Sequence, residues 1–486
     1  MRSFAQTGRN SASQDRAFGC RQNRLGSVLL VVLILVVLLS LAAYRYTQLM
    51  ISEHQSAGHF GVLLQTRSAS ESGINTAIAL LHQQRQAGTL SGNLANSESK
   101  FKAKKIGGSG YEFTVLSTTR DSVRYGLIDE STRININAIA TSPAEHIRTQ
   151  NSVAALERVP GMTKQLAASI LDCIDADNTE RVKGSEAHSL NRPLTDLSEL
   201  MRIPGVTSDL LIGDWSDLLT LHSAESNTDR FGKPRIYLNS SVESLYTQLQ
   251  RHNSIATRLA KFVVAWRLYG PAGSTLLEVE RSDPTVAGMY VPPDGRTYPL
   301  TVVSDLIDAT VHVPVPNTDD LEDEDDLCCQ HVVLESPLRS TSSAETLEKA
   351  LDSLTTSMSQ RLIGRINISA APRDVLMSVP SMNDEIASRI LAARPTAAVR
   401  RGLAWYINGK HISLTDFREL EPYITSVGHV YSATSLGHSD SNPIRLATRA
   451  VIDVSQQTPR TVDWQEFRPT IGLLSRANLE LAPTVP

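Results

Sequence analysis

The hydrophobic pattern begins with one long uncharged run near the amino terminus. Residues 27–43 are apolar apart from two serines, and as a helix they measure roughly 25 Å, against about 30 Å for a hydrocarbon core. Tyr44 and Tyr46 follow, where aromatic side chains favour the membrane interface. The run predicts a membrane-spanning helix, and three kinds of segment fit it: a cleaved secretory signal, a plain anchor or a prepilin-type helix.

The sequence after this run helps to choose among the three. No helix breaker follows Ala43, and apolar residues continue at helical spacing as far as residue 81. The first stop signal is Gly88. The pattern predicts one continuous helix over residues 27–88, with its first half in the membrane and its second half outside.

The residues before the run are polar and basic. Residues 1–25 carry five arginines and a single acid, Asp15, a charge bias that keeps a segment in the cytoplasm. Gly26 stands at the boundary between this basic segment and the apolar helix. A basic leader that ends in Gly directly before an apolar helix is typical of a prepilin-type segment.

This layout resembles type IV pilins and the pseudopilins of type II secretion, and among these the minor pseudopilin K family (general secretion pathway protein K, GspK). The resemblance implies that a prepilin peptidase cleaves after Gly26 and that Ser27 begins the mature chain. The residues that it assigns to the membrane anchor and to assembly are Val28, Leu29, Leu30 and Val31. Most pseudopilins have Glu at the fifth mature position, where this chain has Val31; the K family lacks that Glu and is larger than the other pseudopilins.

The resemblance also implies a location and partners. A K-type subunit lies at the tip of the periplasmic pseudopilus, initiates its assembly and supports protein export across the outer membrane. Its partners would be other minor pseudopilins and the inner-membrane secretion platform, with secreted cargo or the outer-membrane channel as further contacts. The chain would cross the inner membrane once, with its leader in the cytoplasm and its bulk in the periplasm.

Alternation of apolar and polar residues predicts a split sheet beyond the helix. Residues 111–117 and 123–129 form a predicted hairpin, and further strands are predicted at 429–433, 444–454 and 461–464. Everything between these two groups would be inserted within one sheet. The predicted fold class is α+β: a pilin-like long helix with an antiparallel sheet and an inserted α-helical region.

The inserted region contains a threefold repeat. Each copy opens on Arg-Ile followed by alternating apolar residues, which predicts a short strand, and closes on Ser or Thr before Asp, which predicts a helix cap. The opening phrases are 133–138, 235–240 and 365–370, and the closing phrases are 194–200, 303–308 and 414–420. The helical segments between them resemble the sterile-alpha-motif-like lobes of the K family, which normally has two, so a third copy would be an elaboration.

These patterns together divide the chain into eight predicted segments. They are the cytoplasmic leader (1–26), the long helix (27–88), the first strands of the sheet (100–132), helical lobe 1 (133–226), a middle lobe with an acidic loop (230–345), the last helical lobe (361–425), the last strands (426–470) and a tail (471–486).

Two Pro-Gly turns in lobe 1 support an alternative function. Pro160-Gly161 and Pro204-Gly205 join helical segments in the manner of helix-hairpin-helix proteins, which present backbone N–H groups to DNA phosphates. The alternative is therefore a membrane-anchored DNA-uptake protein. Residues 126–226, however, contain 15 acidic and 8 basic residues, a balance that repels a duplex and makes nucleic acid an unfavourable partner.

A loop in lobe 1 concentrates oxygen ligands. Asp175, Asp177 and Glu186 follow a predicted helix and are the candidate ligands for calcium, which takes six to eight oxygens from a flexible loop. The spacing is similar to an EF-hand at three positions, but Gly is absent from the sixth position and Arg181 replaces a neutral residue, which excludes that motif. The resemblance implies a structural calcium ion here; a solvated acidic loop is the alternative.

Composition and motifs exclude several other classes of function. The net charge of −4 provides no basic surplus for nucleic acid, and the four cysteines have neither zinc spacing nor the density of a disulfide framework. Residues 319–326 form an acidic block that predicts a self-repelling loop, and Cys328 and Cys329 receive no function. No nucleophile elbow, zinc-binding His pair or phosphate-binding Gly-rich loop occurs, so we expect no enzymatic activity and no catalytic residues.

Overall fold

The computed structural model describes most of the chain. The described residues are 25–90, 94–118, 123–141, 152–213, 215–252, 255–277, 284–292, 294–315, 330–394 and 402–469. The chain divides into two compact units, Met1–Leu64 and Gln65–Pro486. Four sequence predictions fall outside the described residues: most of the leader (1–24), the acidic block 319–326, Cys328 with Cys329, and the tail 471–486.

Helices dominate the amino-terminal segment and the inserted region. In chain order they are α1 (Leu25–Gln86), α2 (Glu98–Phe101), α3 (Ile136–Thr141), α4 (Lys164–Ile174), α5 (Ser208–Ile212), α6 (Val242–Arg251), α7 (Thr257–Tyr269), α8 (Ala344–Ser353), α9 (Arg373–Met377), α10 (Asp384–Ala392), α11 (Ala404–Asn408) and α12 (Leu414–Leu420). Residues 152–156 are also helical. Short 3-10 helices cover Glu130–Thr132, Leu197–Arg202, Val303–Leu306 and Glu421–Tyr423.

The strands range from two to twelve residues in length. In chain order they are β1 (Lys104–Lys105), β2 (Glu112–Thr118), β3 (Val123–Arg124), β4 (Ile128–Asp129), β5 (Ile134–Asn135), β6 (Leu219–Thr220), β7 (Ala224–Ser226), β8 (Ile236–Tyr237), β9 (Thr285–Val286), β10 (Met289–Tyr290), β11 (Thr310–Val315), β12 (Gln330–Glu335), β13 (Leu354–Thr355), β14 (Arg361–Ile363), β15 (Ile366–Asn367), β16 (Ile424–Thr425), β17 (Val430–Ser439), β18 (Asn442–Asp453) and β19 (Arg460–Phe467).

The first unit contains the amino-terminal part of α1. Its side chains from Val28 to Phe60 are exposed. Among the described residues, this is the only helix that is long and apolar enough to cross a membrane, by length and composition. The helix predicted for residues 27–88 is observed as Leu25–Gln86, and Gly88 follows its end with a φ of 64°.

The second unit is built on a seven-stranded antiparallel sheet with the order β1-β2-β17-β18-β19; β3 pairs with β2, and β4 pairs with β17. Strands from both sides of the inserted region therefore join one sheet, as the alternation predicts. One prediction is wrong: residues 123–129 do not form a single strand. Gly126 lies so close to the backbone of Leu94 that a Cβ would be 2.2 Å from its carbonyl oxygen, and this close passage separates β3 from β4.

The carboxyl-terminal part of α1 packs on this sheet through small residues. Its buried side chains recur at helical spacing: Thr66, Ala69, Ser70, Ile74, Ala77 and Leu81. Gly73 faces Ser435, where a Cβ would be 2.0 Å from the hydroxyl oxygen, and Gly437 faces the Thr66 carbonyl, where a Cβ would be 2.1 Å away. Side chains larger than hydrogen at these two glycines would push the helix off the sheet.

In each repeat copy, a short strand at the start pairs in parallel with a short strand at the end. β5 pairs with β6, β8 with β13, and β15 with β16, and every first partner lies in an opening phrase. The Asn137 amide donates to the carbonyl of Leu194 and accepts from its N–H. Asn239 makes the same two bonds to Leu300, whereas the third copy has Ser369 at this position. In two copies, therefore, the two hydrogen bonds of an asparagine side chain join the opening phrase to a leucine just before the closing helix.

Candidate metal centre

Three carboxylates of lobe 1 lie together after α4. Side-chain oxygens of Asp175, Asp177 and Glu186 all lie within 4.8 Å of one another. Two oxygens on opposite sides of one calcium ion are about 5 Å apart, because each Ca–O bond is about 2.3–2.6 Å long. All three side chains can therefore bind one ion. The structure brings together the three residues that the sequence selects; their ligation of calcium stays a prediction.

The loop is held in place at both ends. Thr163 caps the start of α4 by accepting a hydrogen bond from the Leu166 N–H, and Asp175 follows the helix in an extended conformation. The N–H of Leu190 donates to the Cys173 carbonyl at 2.7 Å. The amide of Asn191 donates to the Asn178 side chain. The bond from Leu190 returns the chain to the end of α4, so Glu186 lies beside Asp175 and Asp177.

The burial and electrostatics of Asp175 and Glu186 favour a cation. Asp175 is only 5% exposed, and its Oδ1 has no hydrogen-bond partner. The carboxylate oxygens of Glu186 are also shielded from solvent. Burial raises the pKa of Asp175 above its ordinary value, and burial together with the charges of Asp175 and Asp172 raises the pKa of Glu186. An ion would satisfy these oxygens and offset their mutual repulsion.

The donor set indicates which ion fits. All three candidate ligands are carboxylates, which suit hard cations and not zinc or copper. Calcium accepts the irregular geometry of a loop, whereas magnesium requires a near-ideal octahedron. Asp175, Asp177 and Glu186 would hold the ion, and backbone carbonyls or water would supply the remaining oxygens. The residues present fit a calcium ion.

Three further residues form a cluster that reaches the candidate ligand Asp175: Asp172 in α4, and Arg181 and Gly184 in the loop. Asp172 is fully buried, Arg181 forms ion pairs with Asp172 and Asp175, and Gly184 packs on the Asp172 carboxylate. Sequence reasoning assigned none of them a role, and it used Arg181 only to exclude an EF-hand. A basic residue inside a cluster of acids was the available signal, since a buried acid requires a charged partner.

The Pro-Gly turns of lobe 1 serve the packing of the lobe itself. Gly161 has a φ of 74° and Gly205 a φ of 99°. A Cβ on Gly161 would lie 2.9 Å from Cδ2 of Leu210, just after the second turn. The buried Trp215 indole donates to the Pro160 carbonyl at 2.9 Å. Both turns thus contribute contacts within lobe 1, and the DNA-binding alternative stays a prediction.

The residues assigned to the membrane anchor all lie in α1. Gly26 and Ser27 are in its first turns. Val28, Leu29, Leu30 and Val31 are exposed by 59–71%. The described part of the chain therefore leaves these apolar side chains free to contact lipid or another helix.

Comparison with known proteins finds a structural likeness and no match by sequence. No family model matches the chain, and no curated protein matches its sequence. The structure is similar to a chain in the crystal structure of the GspK-GspI-GspJ complex from the enterotoxigenic Escherichia coli type 2 secretion system. The match covers 85% of this chain and 99% of that chain, with 12% sequence identity and a TM-score of 0.35.

Proposed function

We propose that the protein is a minor pseudopilin of the K type, anchored in the inner membrane and acting in type II secretion. The observation that carries the proposal is α1, which is apolar and exposed near the amino terminus and packs on an antiparallel sheet near its carboxyl end. A signal peptide would be removed from the mature protein. A plain anchor would not need a helix that continues from the membrane into the folded domain. A pseudopilin needs both properties in one helix.

The inserted region supports the K type in particular. Asp129 in β4 and Val430 in β17 lie in one sheet, and three repeat copies separate them along the chain. So large an insertion would crowd a filament shaft, where neighbouring subunits must stack closely. At the tip it has room. The proposed role is therefore to initiate and cap a short periplasmic pseudopilus together with other minor pseudopilins and the secretion platform.

The residue at position 31 provides a test of the tip position. We expect Val31→Glu to reduce the fraction of subunits at pseudopilus tips, because the new carboxylate can pair with the amino terminus of a neighbouring subunit. The measurement is gold labelling of this subunit in pseudopili from cells that carry the complete secretion system. Val32→Glu is the matched control, since it places the same charge one residue further along the helix. Equal tip labelling in both variants and the wild type contradicts the argument from position 31.

We also propose that Asp175, Asp177 and Glu186 bind a structural calcium ion that stabilises lobe 1. The unpartnered Oδ1 of the buried Asp175 and the two buried oxygens of Glu186 support this proposal. The ion would tie the loop to the end of α4 and so fix one surface of the lobe. No catalytic role follows from it.

Calcium should raise the melting temperature of the full chain in detergent. A ligand present at a hundred times its Kd stabilises the folded state by about 2.7 kcal/mol. Asp175→Asn and Glu186→Gln should each remove most of the calcium-dependent shift, whereas Asp209→Asn, an exposed acid of the same lobe, should leave it unchanged. The measurement is differential scanning fluorimetry in calcium and in chelator. Equal melting temperatures of the wild type in the two buffers rule out the site.

A further inference from the structure

Arg181 lies beside the proposed calcium ligands without being one of them. Its guanidinium donates to Oδ1 of Asp172 at 2.7 Å and also to Oδ2 of Asp175. Its backbone N–H donates to Asp172 at 3.2 Å. One residue therefore joins a fully buried carboxylate to a candidate metal ligand.

The position of Arg181 is fixed by the backbone around it. The Gly184 N–H donates to the Arg181 carbonyl at 2.8 Å, which closes a tight turn. A Cβ on Gly184 would lie 1.8 Å from Oδ2 of Asp172. The turn can approach the buried carboxylate this closely only because residue 184 is glycine, so the pairing of Arg181 with Asp172 depends on it.

This arrangement assigns the two oxygens of Asp175 to different partners. Arg181 holds Oδ2, and Oδ1 is buried and unpartnered. Asp172 does not belong to the group of three carboxylates that can share one ion. Arg181 is thus placed to hold Asp175 through Oδ2, which leaves Oδ1 available to bind a metal ion.

We propose that Arg181 is a positioning residue of the calcium site, which clamps Asp175 against Asp172 so that Oδ1 of Asp175 faces the ion. The inference rests on the calcium site proposed above. Two effects oppose each other here: a positive charge repels a metal ion, whereas an oriented ligand binds it better. The orientation outweighs the repulsion because two carboxylates already neutralise the guanidinium. In addition, loss of the Arg181 side chain would leave Asp172 buried without a cationic partner.

Calcium titration of the full chain in detergent tests this role. Calorimetry with CaCl2 should show that Arg181→Gln binds calcium about 10–100-fold more weakly than the wild type, the usual effect of losing a residue that orients a metal ligand. Lys183→Gln is the matched control. It removes the same charge from the same loop, but Lys183 is exposed and forms no ion pair in the described part of that loop. It should bind calcium as tightly as the wild type or slightly more tightly.

Gly184→Ala provides an independent way to break the clamp. It keeps the charge of Arg181 but pushes a methyl group into the Asp172 carboxylate, so we expect weaker calcium binding here as well. Melting curves in chelator show whether each variant folds. A wild type that binds no calcium overturns the site and with it the role of Arg181. A wild type that binds calcium, with Arg181→Gln binding as tightly or more tightly, overturns the role of Arg181 alone.

Discussion

Trp215→Ala is expected to lower the free energy of unfolding by about 3–5 kcal/mol, because truncating a buried tryptophan removes apolar contacts and leaves a cavity. Trp215 is fully buried in the core of the repeats, and its indole N–H donates to the Pro160 carbonyl at 2.9 Å. The variant loses both the packing and the bond that holds the first Pro-Gly turn. Urea denaturation of the full chain in detergent measures the change.

Trp464→Ala is the control for this substitution. Trp464 lies on the edge strand β19 and is 40% exposed, so the same change of side chain should cost about 1 kcal/mol, the range of strand propensity. Equal losses from the two variants would contradict a tightly packed lobe 1.

Glu225→Gln should cost a similar amount, about 3–5 kcal/mol at neutral pH, because removing one partner of a buried ion pair leaves the other charge uncompensated. Glu225 is 3% exposed in β7. Its two carboxylate oxygens accept from Arg235 at 2.7 Å and from Arg365 at 3.3 Å. These arginines open the second and third repeat copies, so the variant should loosen the junction between them.

The pH dependence gives this second prediction a distinct signature. Burial alone would raise the pKa of Glu225, but the charges of Arg235 and Arg365 outweigh burial and lower the pKa to about 2, below the ordinary value of 4.5. A carboxyl with a lowered folded-state pKa stabilises the fold above its ordinary pKa and loses that contribution as the pH falls through the folded value. The stability difference between wild type and variant should therefore shrink between about pH 4.5 and pH 2.

Glu98→Gln is the control for the carboxylate. Glu98 pairs with Lys102 at 3.2 Å, but both side chains are largely exposed, and solvent weakens such a pair. It should change stability little at any pH. A Glu225→Gln variant as stable as the Glu98→Gln variant would contradict the buried junction.

The fold follows from the sequence where a single periodicity determines it. The uncharged run and the helical spacing after it predict α1, and alternation predicts β2, β17, β18 and β19, since one face of each strand must be buried. The break between β3 and β4 is not visible in that pattern. It depends on the backbone of Leu94 passing close to Gly126, a contact that no local preference encodes.

The candidate site divides in the same way. Asp175, Asp177 and Glu186 could be selected from the sequence because they are carboxylates of one short loop, and such oxygens suit calcium. The role of Arg181 is not recognisable, because it depends on Asp172 being buried and on Gly184 leaving space for it. The junction at Glu225 is equally hidden, since its partners Arg235 and Arg365 belong to other copies of the repeat.

The amino-terminal sequence of the mature protein tests the central claim most directly. The chain is produced together with a prepilin peptidase, purified from membranes and analysed by amino-terminal sequencing and intact mass. A pseudopilin should begin at Ser27 and retain the apolar run 27–43 as its anchor. A mature chain that begins at Met1, or at a residue beyond Ala43, would contradict the account.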